Sequence, residues 1–204
     1  MTNFGLALLP DEEMTGRLIA LQGRHEEELG GPALGVKKNL PHVSILQCPF
    51  VEERLTEALL EELREMVEQS APAAVLSHVS YQPVGWVFAN LVRDPWMSRL
   101  QADALSLLEP FIDGGRIDTS KDFTGYSKQE VAYYSRYGYR YLFEEFRPHF
   151  TIGRTRSGST GVSAELQKDF LKHFAGSEVR FRKLAFYQAG NHGAFARPLA
   201  EVGL

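Results

Sequence analysis

The sequence predicts an α/β (α+β) fold: two pseudo-symmetric lobes of mostly antiparallel sheet, with outer helices, around a central cleft. Three observations predict it. Strand-like and helix-like segments follow one another in a similar order in the two halves of the chain. A five-residue element, Pro-His-x-(Ser/Thr)-Ile, occurs at Pro41–Ile45 and again at Pro148–Ile152, with its histidines 107 residues apart. The chain has 204 residues, 44% of them apolar and 24% charged, which suffices for one fused unit with its own core. The repeat spacing is too long for a solenoid and suits a duplicated lobe.

The elements follow from local patterns. Phe4 to Leu9 is an apolar run ended by Pro10 and reads as a strand. Asp11 can cap the next helix, whose stripe is Met14, Leu18, Leu21 and Leu29, and Gly30, Gly31 and Pro32 stop it. Val43 to Phe50 reads as a strand and Glu52 to Gln69 as one continuous helix. Ala73 to Tyr81 and Trp86 to Val92 read as two strands joined by a turn at 82–85. Asp94-Pro95 opens a helix running to about Glu109. Phe111 to Lys128 reads as loop, and the aromatic-rich Gln129 to Glu145 as loop with helical turns. Phe146 to Arg154 is a strand, Val162 to Phe174 a helix, and Val179 to Ala189 and Ala194 to Val202 are strands.

Composition excludes several classes. The formal net charge is −4 and the pI about 5.9, with no long basic run, so long duplex DNA and anionic membranes are not expected partners. No apolar stretch approaches the ~20 residues of a membrane span. Met1 to Pro10 has no basic leader, so a cytoplasmic, monomeric chain is expected. Cys48 stands alone, which rules out an internal disulfide and a cysteine zinc cluster, and it reads as a small buried residue. His25, His78, His173 and His192 lack metal-ligand spacing, so neither metal nor organic cofactor is expected. Gly190 to Gly193 reads as a turn and not as a phosphate loop.

The repeated element carries the chemistry. Side chains alternate across a strand, so His42 shares a face with Ser44, and His149 with Thr151. Opposed across a cleft, two imidazoles and two hydroxyls form the set that phosphodiester cleavage needs. One histidine removes a proton from the attacking oxygen, the other protonates the departing one, and the hydroxyls hold the non-bridging oxygens. A lone H-x-S or H-x-T on a strand is common by chance; two copies in matching contexts are far more specific.

His42-Val43-Ser44-Ile45 and His149-Phe150-Thr151-Ile152 resemble the paired H-x-(T/S)-x tetrapeptides of the two-histidine phosphoesterase superfamily, which includes 2′-5′ RNA ligase-like proteins and cyclic phosphodiesterases. The stretch Tyr139 to Arg154, with Y-R-Y-L-F-E-E-F-R-P-H-F-T-I, is similar to a bacterial branch of it. The resemblance implies a bilobal fold, catalysis by His42 and His149, phosphate binding by Ser44 and Thr151, and a phosphodiester of a nucleotide or RNA end as substrate. A second reading is a non-catalytic module that binds a nucleotide or RNA end on the same fold.

Neighbouring residues carry two readings each. Arg147 shares parity with His149 and could meet phosphate, or be a solvated strand-end arginine. Lys37 and Lys38 could edge the cleft or sit in a solvated loop. Tyr137, Tyr139 and Tyr141 could wall a base or pack in the core. Trp86 with Phe88, and Phe181 with Lys183 and Tyr187, share strand faces; either set could floor a nucleotide pocket or be core.

Overall fold

The computed structural model describes residues 3–67, 72–82, 85–156 and 160–204. Its strands are β1 (Phe4–Pro10), β2 (Leu29–Gly30), β3 (Val43–Cys48), β4 (Ala73–Tyr81), β5 (Trp86–Leu91), β6 (His149–Thr155), β7 (Glu178–Ala189) and β8 (Phe195–Gly203). Its α-helices are α1 (Glu12–Arg24), α2 (Glu57–Met66), α3 (Pro95–Leu108), α4 (Lys128–Tyr137) and α5 (Ala164–His173). Three helices start where their capping residues direct: Asp11 accepts from the Met14 N–H at 2.8 Å, Asp94 from Trp96 at 3.1 Å and Ser163 from Leu166 at 3.1 Å.

Every pairing is antiparallel, and six strands close a circuit. β1 pairs β3, β3 meets β6 at Val43 and Phe150, β6 pairs β5, β5 pairs β4, β4 pairs β7, and β7 returns to β1. β8 continues outward from β7 and the short β2 from β6. The circuit forms two four-stranded sheets, β3-β1-β7-β8 and β2-β6-β5-β4. Helices α2 and α3 pack on the first sheet, α1 and α5 on the second. The main core lies between helices and sheets, while Ala7, Leu9, Ala185, Tyr187 and Phe195 form a smaller cluster on the other face of the first sheet.

The two halves of the sequence exchange parts. The first half gives β3 and α2 to one lobe and its hairpin β4–β5 to the other. The second half gives β6 and α5 to the second lobe and its hairpin β7–β8 to the first. β6 therefore lies among strands of the first half, whereas β3 pairs with β1 of its own half in a sheet completed by β7 and β8 of the second.

Both motif strands bulge at the same place. Ser44 pairs with Ala7 and Leu46 with Leu6, leaving Ile45 unpaired. Thr151 pairs with Phe88 and Gly153 with Val87, leaving Ile152 unpaired. The extra residue switches the parity of the rest of the strand, so both isoleucines are fully buried and Gln47, not Leu46, continues the face of His42 and Ser44.

Four expectations are corrected. The first helix ends at Arg24, and Leu29 and Gly30 form β2 instead of its last turn. The helix from Glu52 is interrupted: residues 52–54 make a 3-10 turn, Leu55 leaves helical geometry, and Thr56 caps a new helix at Glu57. The end of that expected helix, at 68–69, and part of the expected 82–85 turn, at 83–84, lie outside the described residues. The stretch read as loop from Gln129 begins as the regular helix α4. Ser127 and Glu130 form a reciprocal capping box, and Gly138 ends the helix at φ 75°. Finally, Phe181 and Tyr187 do not share a face. A register shift where β1 passes from Leu9 to Pro10 sends Phe181 into the helix-side core and Tyr187 to the other face. Lys183 turns outward to Glu201, at 2.7 Å.

Candidate active site

His42, Ser44, His149 and Thr151 line one open cleft, which encloses about 870 Å³ with its mouth included. Trp86, Phe88, Tyr139 and Tyr141 contribute aromatic walls. Among the described residues, no aspartate or glutamate lines it, and Arg140 is its lysine- or arginine-type charge.

The two imidazoles are held alike. His42 Nδ1 lies 2.8 Å from the Leu40 carbonyl oxygen, and His149 Nδ1 lies 2.6 Å from that of Arg147. Each carbonyl belongs to the residue two positions earlier. A carbonyl only accepts, so each Nδ1 is the protonated nitrogen of a neutral ring, and Nε2 keeps its lone pair. His149 stacks on Phe88 with ring centroids 3.6 Å apart and meets Tyr141 edge-on at 5.7 Å. His42 meets Tyr187 at 5.0 Å and Phe195 at 5.6 Å, both edge-on.

These walls set the protonation. Burial pulls each imidazole down from an ordinary 6.5 to about 4, against the opposing pull of the Leu40 and Gly193 carbonyls on His42 and the Arg147 carbonyl on His149. The positive charges of Arg140 and Arg147 depress His149 further. A histidine depressed on folding stabilises the fold above its unfolded value and loses that contribution as pH falls through its folded value. The melting temperature should therefore fall on acidification from 6.5 towards 4. The fall should be shallower in a His42→Gln His149→Gln variant, compared by thermal melts at matched pH. Equal slopes would show that neither ring is desolvated.

Ser44 is set by a chain of hydrogen bonds. Gln47 Nε2 donates to the Tyr187 hydroxyl at 3.1 Å, and that hydroxyl lies 3.0 Å from Ser44 Oγ. With its oxygen already accepting from Gln47, Tyr187 directs its proton to Ser44, whose own hydrogen is left to point into the cleft. Burial pushes the Tyr187 phenol up to about 12, so it remains a donor. Gly5, across from Tyr187 in β1, makes this possible: a Cβ there would fall 2.3 Å from the tyrosine ring.

The other expected residues divide. Tyr139 and Tyr141 line the cleft, while Tyr137, the last residue of α4, does not. Trp86 and Phe88 line it from β5. Tyr187 supports Ser44 from beneath rather than lining the cleft. The Arg147 side chain pairs with Glu145 at 3.0 Å outside it and acts on His149 only by its charge, while its carbonyl anchors the ring. Lys37 and Lys38 are exposed in a loop and do not line it. Sequence reasoning missed Gln47, Arg140 and His192. Gln47 is hidden by the bulge, and Arg140 carries no local signal of its own between Tyr139 and Tyr141. His192 sits in the β7–β8 turn and reaches across to Trp86, with centroids 5.2 Å apart.

Among the described residues, no group of three or more His, Cys, Asp or Glu side chains is placed to hold a metal ion. No described helix is long and apolar enough to cross a membrane. Burial pushes the Cys48 thiol up, which suits its place in the core.

Residues 45–196, about three-quarters of the chain, match a family described as "Protein of unknown function (DUF1045)". The chain belongs to the DUF1045 family. The match spans the second motif of this DUF1045 chain and begins one residue after Ser44. No curated protein matches it. Among solved structures, the crystal structure of TT0787 from Thermus thermophilus is similar over its length. The two share 16% identity with a TM-score of 0.60, covering 100% of the DUF1045 chain and 98% of that one. At that identity the likeness is one of fold.

Proposed function

We propose that this chain is a metal-independent phosphoesterase of the two-histidine superfamily. It acts on a phosphodiester such as a 2′,3′-cyclic phosphate or a 2′-5′ linkage of a nucleotide or RNA end. One observation carries the reading: two histidines, each anchored at Nδ1 by the carbonyl two residues back and each followed by a hydroxyl on the same strand face, share one cleft that no carboxylate lines among the described residues. Binding alone does not call for two matched proton-transfer groups.

The chemistry balances with these residues. One Nε2 takes a proton from water as its oxygen bonds to phosphorus. The other imidazole, which takes up a proton when the negative phosphate binds beside it, gives that proton to the departing oxygen as the P–O bond breaks. The proton taken up by the first then passes to the second through solvent. Positive neighbours favour His149 as the base, and the carbonyls of Leu40 and Gly193 favour His42 as the acid. Ser44, Thr151 and the aromatic walls hold the phosphate in a poorly solvated place, where hydrogen bonds to developing charge count most.

The test is a panel of 2′,3′-cyclic nucleotides, cyclic-phosphate-ended RNA and 2′-5′ dinucleotides, assayed in excess chelator. Turnover that survives chelation is expected. Loss on chelation, restored by one divalent ion, would refute the metal-independent scheme. No turnover on any substrate would leave the fold as a binding module.

A further inference from the structure

The cleft opens on one side into a second, polar groove enclosing about 1120 Å³, which shares Gln47, Trp86, Arg140 and His192 with it. We infer that this groove is a second anion subsite, which holds another phosphate of the same substrate; this rests on the phosphoesterase reading. Arg140 stands where cleft and groove join, and Lys121 lines the groove beyond it.

Arg140 is built into place. Its guanidinium lies 4.1 Å from the Tyr126 ring centroid and 4.4 Å from that of Tyr141, and it donates to the Tyr141 hydroxyl. Glu130, buried, approaches it at 3.6 Å through one oxygen while the other accepts the Ser127 N–H at the head of α4. One carboxylate thus starts the helix and steadies the arginine. A guanidinium has five N–H donors, so this set leaves donors for a ligand. The tyrosine faces fix its plane, which lowers the entropy lost on binding.

The charged side chains in the groove lining have one sign. Among the described residues, no aspartate or glutamate lines it, although the chain carries 26 of them against 22 lysines and arginines. The acids nearest Lys121 are engaged within their own loop. Asp118 accepts from the N–H and hydroxyl of Ser120, and Asp122 from those of Thr124. Lys121 itself lies over Tyr134, 5.9 Å from the ring centroid. A phosphate there meets two cations and several neutral donors, while Glu130, Asp118 and Asp122 stand behind the lining. A second phosphate could be the 5′-monoester of a mononucleotide or the next diester of a chain, and both present the same oxygens.

The experiment is calorimetric titration with adenosine 3′-monophosphate, adenosine 3′,5′-bisphosphate and adenylyl-(3′,5′)-adenosine 3′-monophosphate. Binding needs no turnover, so the result stands apart from the activity panel. The bisphosphate or the dinucleotide should bind about tenfold or more tightly than the monophosphate, as a charge-assisted contact gives. Whichever gains identifies the source of the second phosphate. Lys121→Gln and Arg140→Gln should each shrink the gain, while Lys37→Gln, on the exposed loop, should keep it. The exposed Lys121 serves if the Arg140 variant folds poorly. No gain for either ligand, or a gain unchanged in the Lys121 and Arg140 variants, would overturn the subsite. Failure of all three ligands to bind, with no turnover on the panel, would overturn the phosphoesterase reading as well.

Discussion

His42→Ala and His149→Ala are each expected to cut turnover by about 10²- to 10⁴-fold, the usual worth of a positioned general acid or base. Each chain should stay folded. Both rings line an open cleft, and removing either forfeits aromatic packing worth about 0.5–1.5 kcal/mol, against a typical total near 5–15 kcal/mol. The double variant should fall well short of the product of the single effects, since one proton donor without its acceptor completes no cycle. Ser44→Ala and Thr151→Val should hurt less, each removing one hydrogen bond to a phosphate that its neighbours still hold. The measurement is turnover on the best panel substrate, with thermal melting beside it. Near-normal turnover in either single histidine variant would remove that residue from the mechanism.

Gly5→Ala is expected to damage both stability and turnover, although Gly5 does not line the cleft. Its added Cβ would lie 2.3, 2.6 and 2.8 Å from three atoms of the Tyr187 phenol. β1 is paired on both sides, to β3 and β7, so the backbone cannot retreat. Overpacking of this kind costs about 1–3 kcal/mol. The ring that must shift is the one holding Ser44 and backing His42, and an ångström of misplacement can cost about 10²-fold in rate. Gly16→Ala, where a Cβ meets nothing within 4 Å, is the control and should be neutral or mildly stabilising. Unchanged melting and turnover in Gly5→Ala would mean that Tyr187 is not needed where it stands.

The legible parts of the sequence obeyed local rules. Asp11 and Asp94-Pro95 located the starts of α1 and α3, and strand parity grouped each histidine with its hydroxyl; the end of α1 was read too late, at Gly30 instead of Arg24. Departures came where tertiary pairing overrides the period of two. No local signal announces that Ile45, Ile152 and Arg182 are skipped in the register, so Gln47 could not be placed, nor Phe181 separated from Tyr187. The α4 miss differs in kind: Ser127-x-x-Glu130 and Gly138 were a readable start and stop, outweighed by the density of tyrosine. Arg140 needed the fold, because Tyr126 and Glu130, brought from elsewhere in the chain, join Tyr141 in making it a fixed charge.

The exchange of hairpins has a consequence for how the site can be altered. His149 rests on Phe88 from the first half, and His42 rests against Tyr187 and Phe195 from the second. Each half thus supplies part of the wall of the other half's histidine. A change in β5 would be read at His149 on β6, and a change in β7 or β8 at His42 beside β3. The surroundings of the two rings can therefore be altered one at a time, through residues in the half of the chain that does not contain the ring.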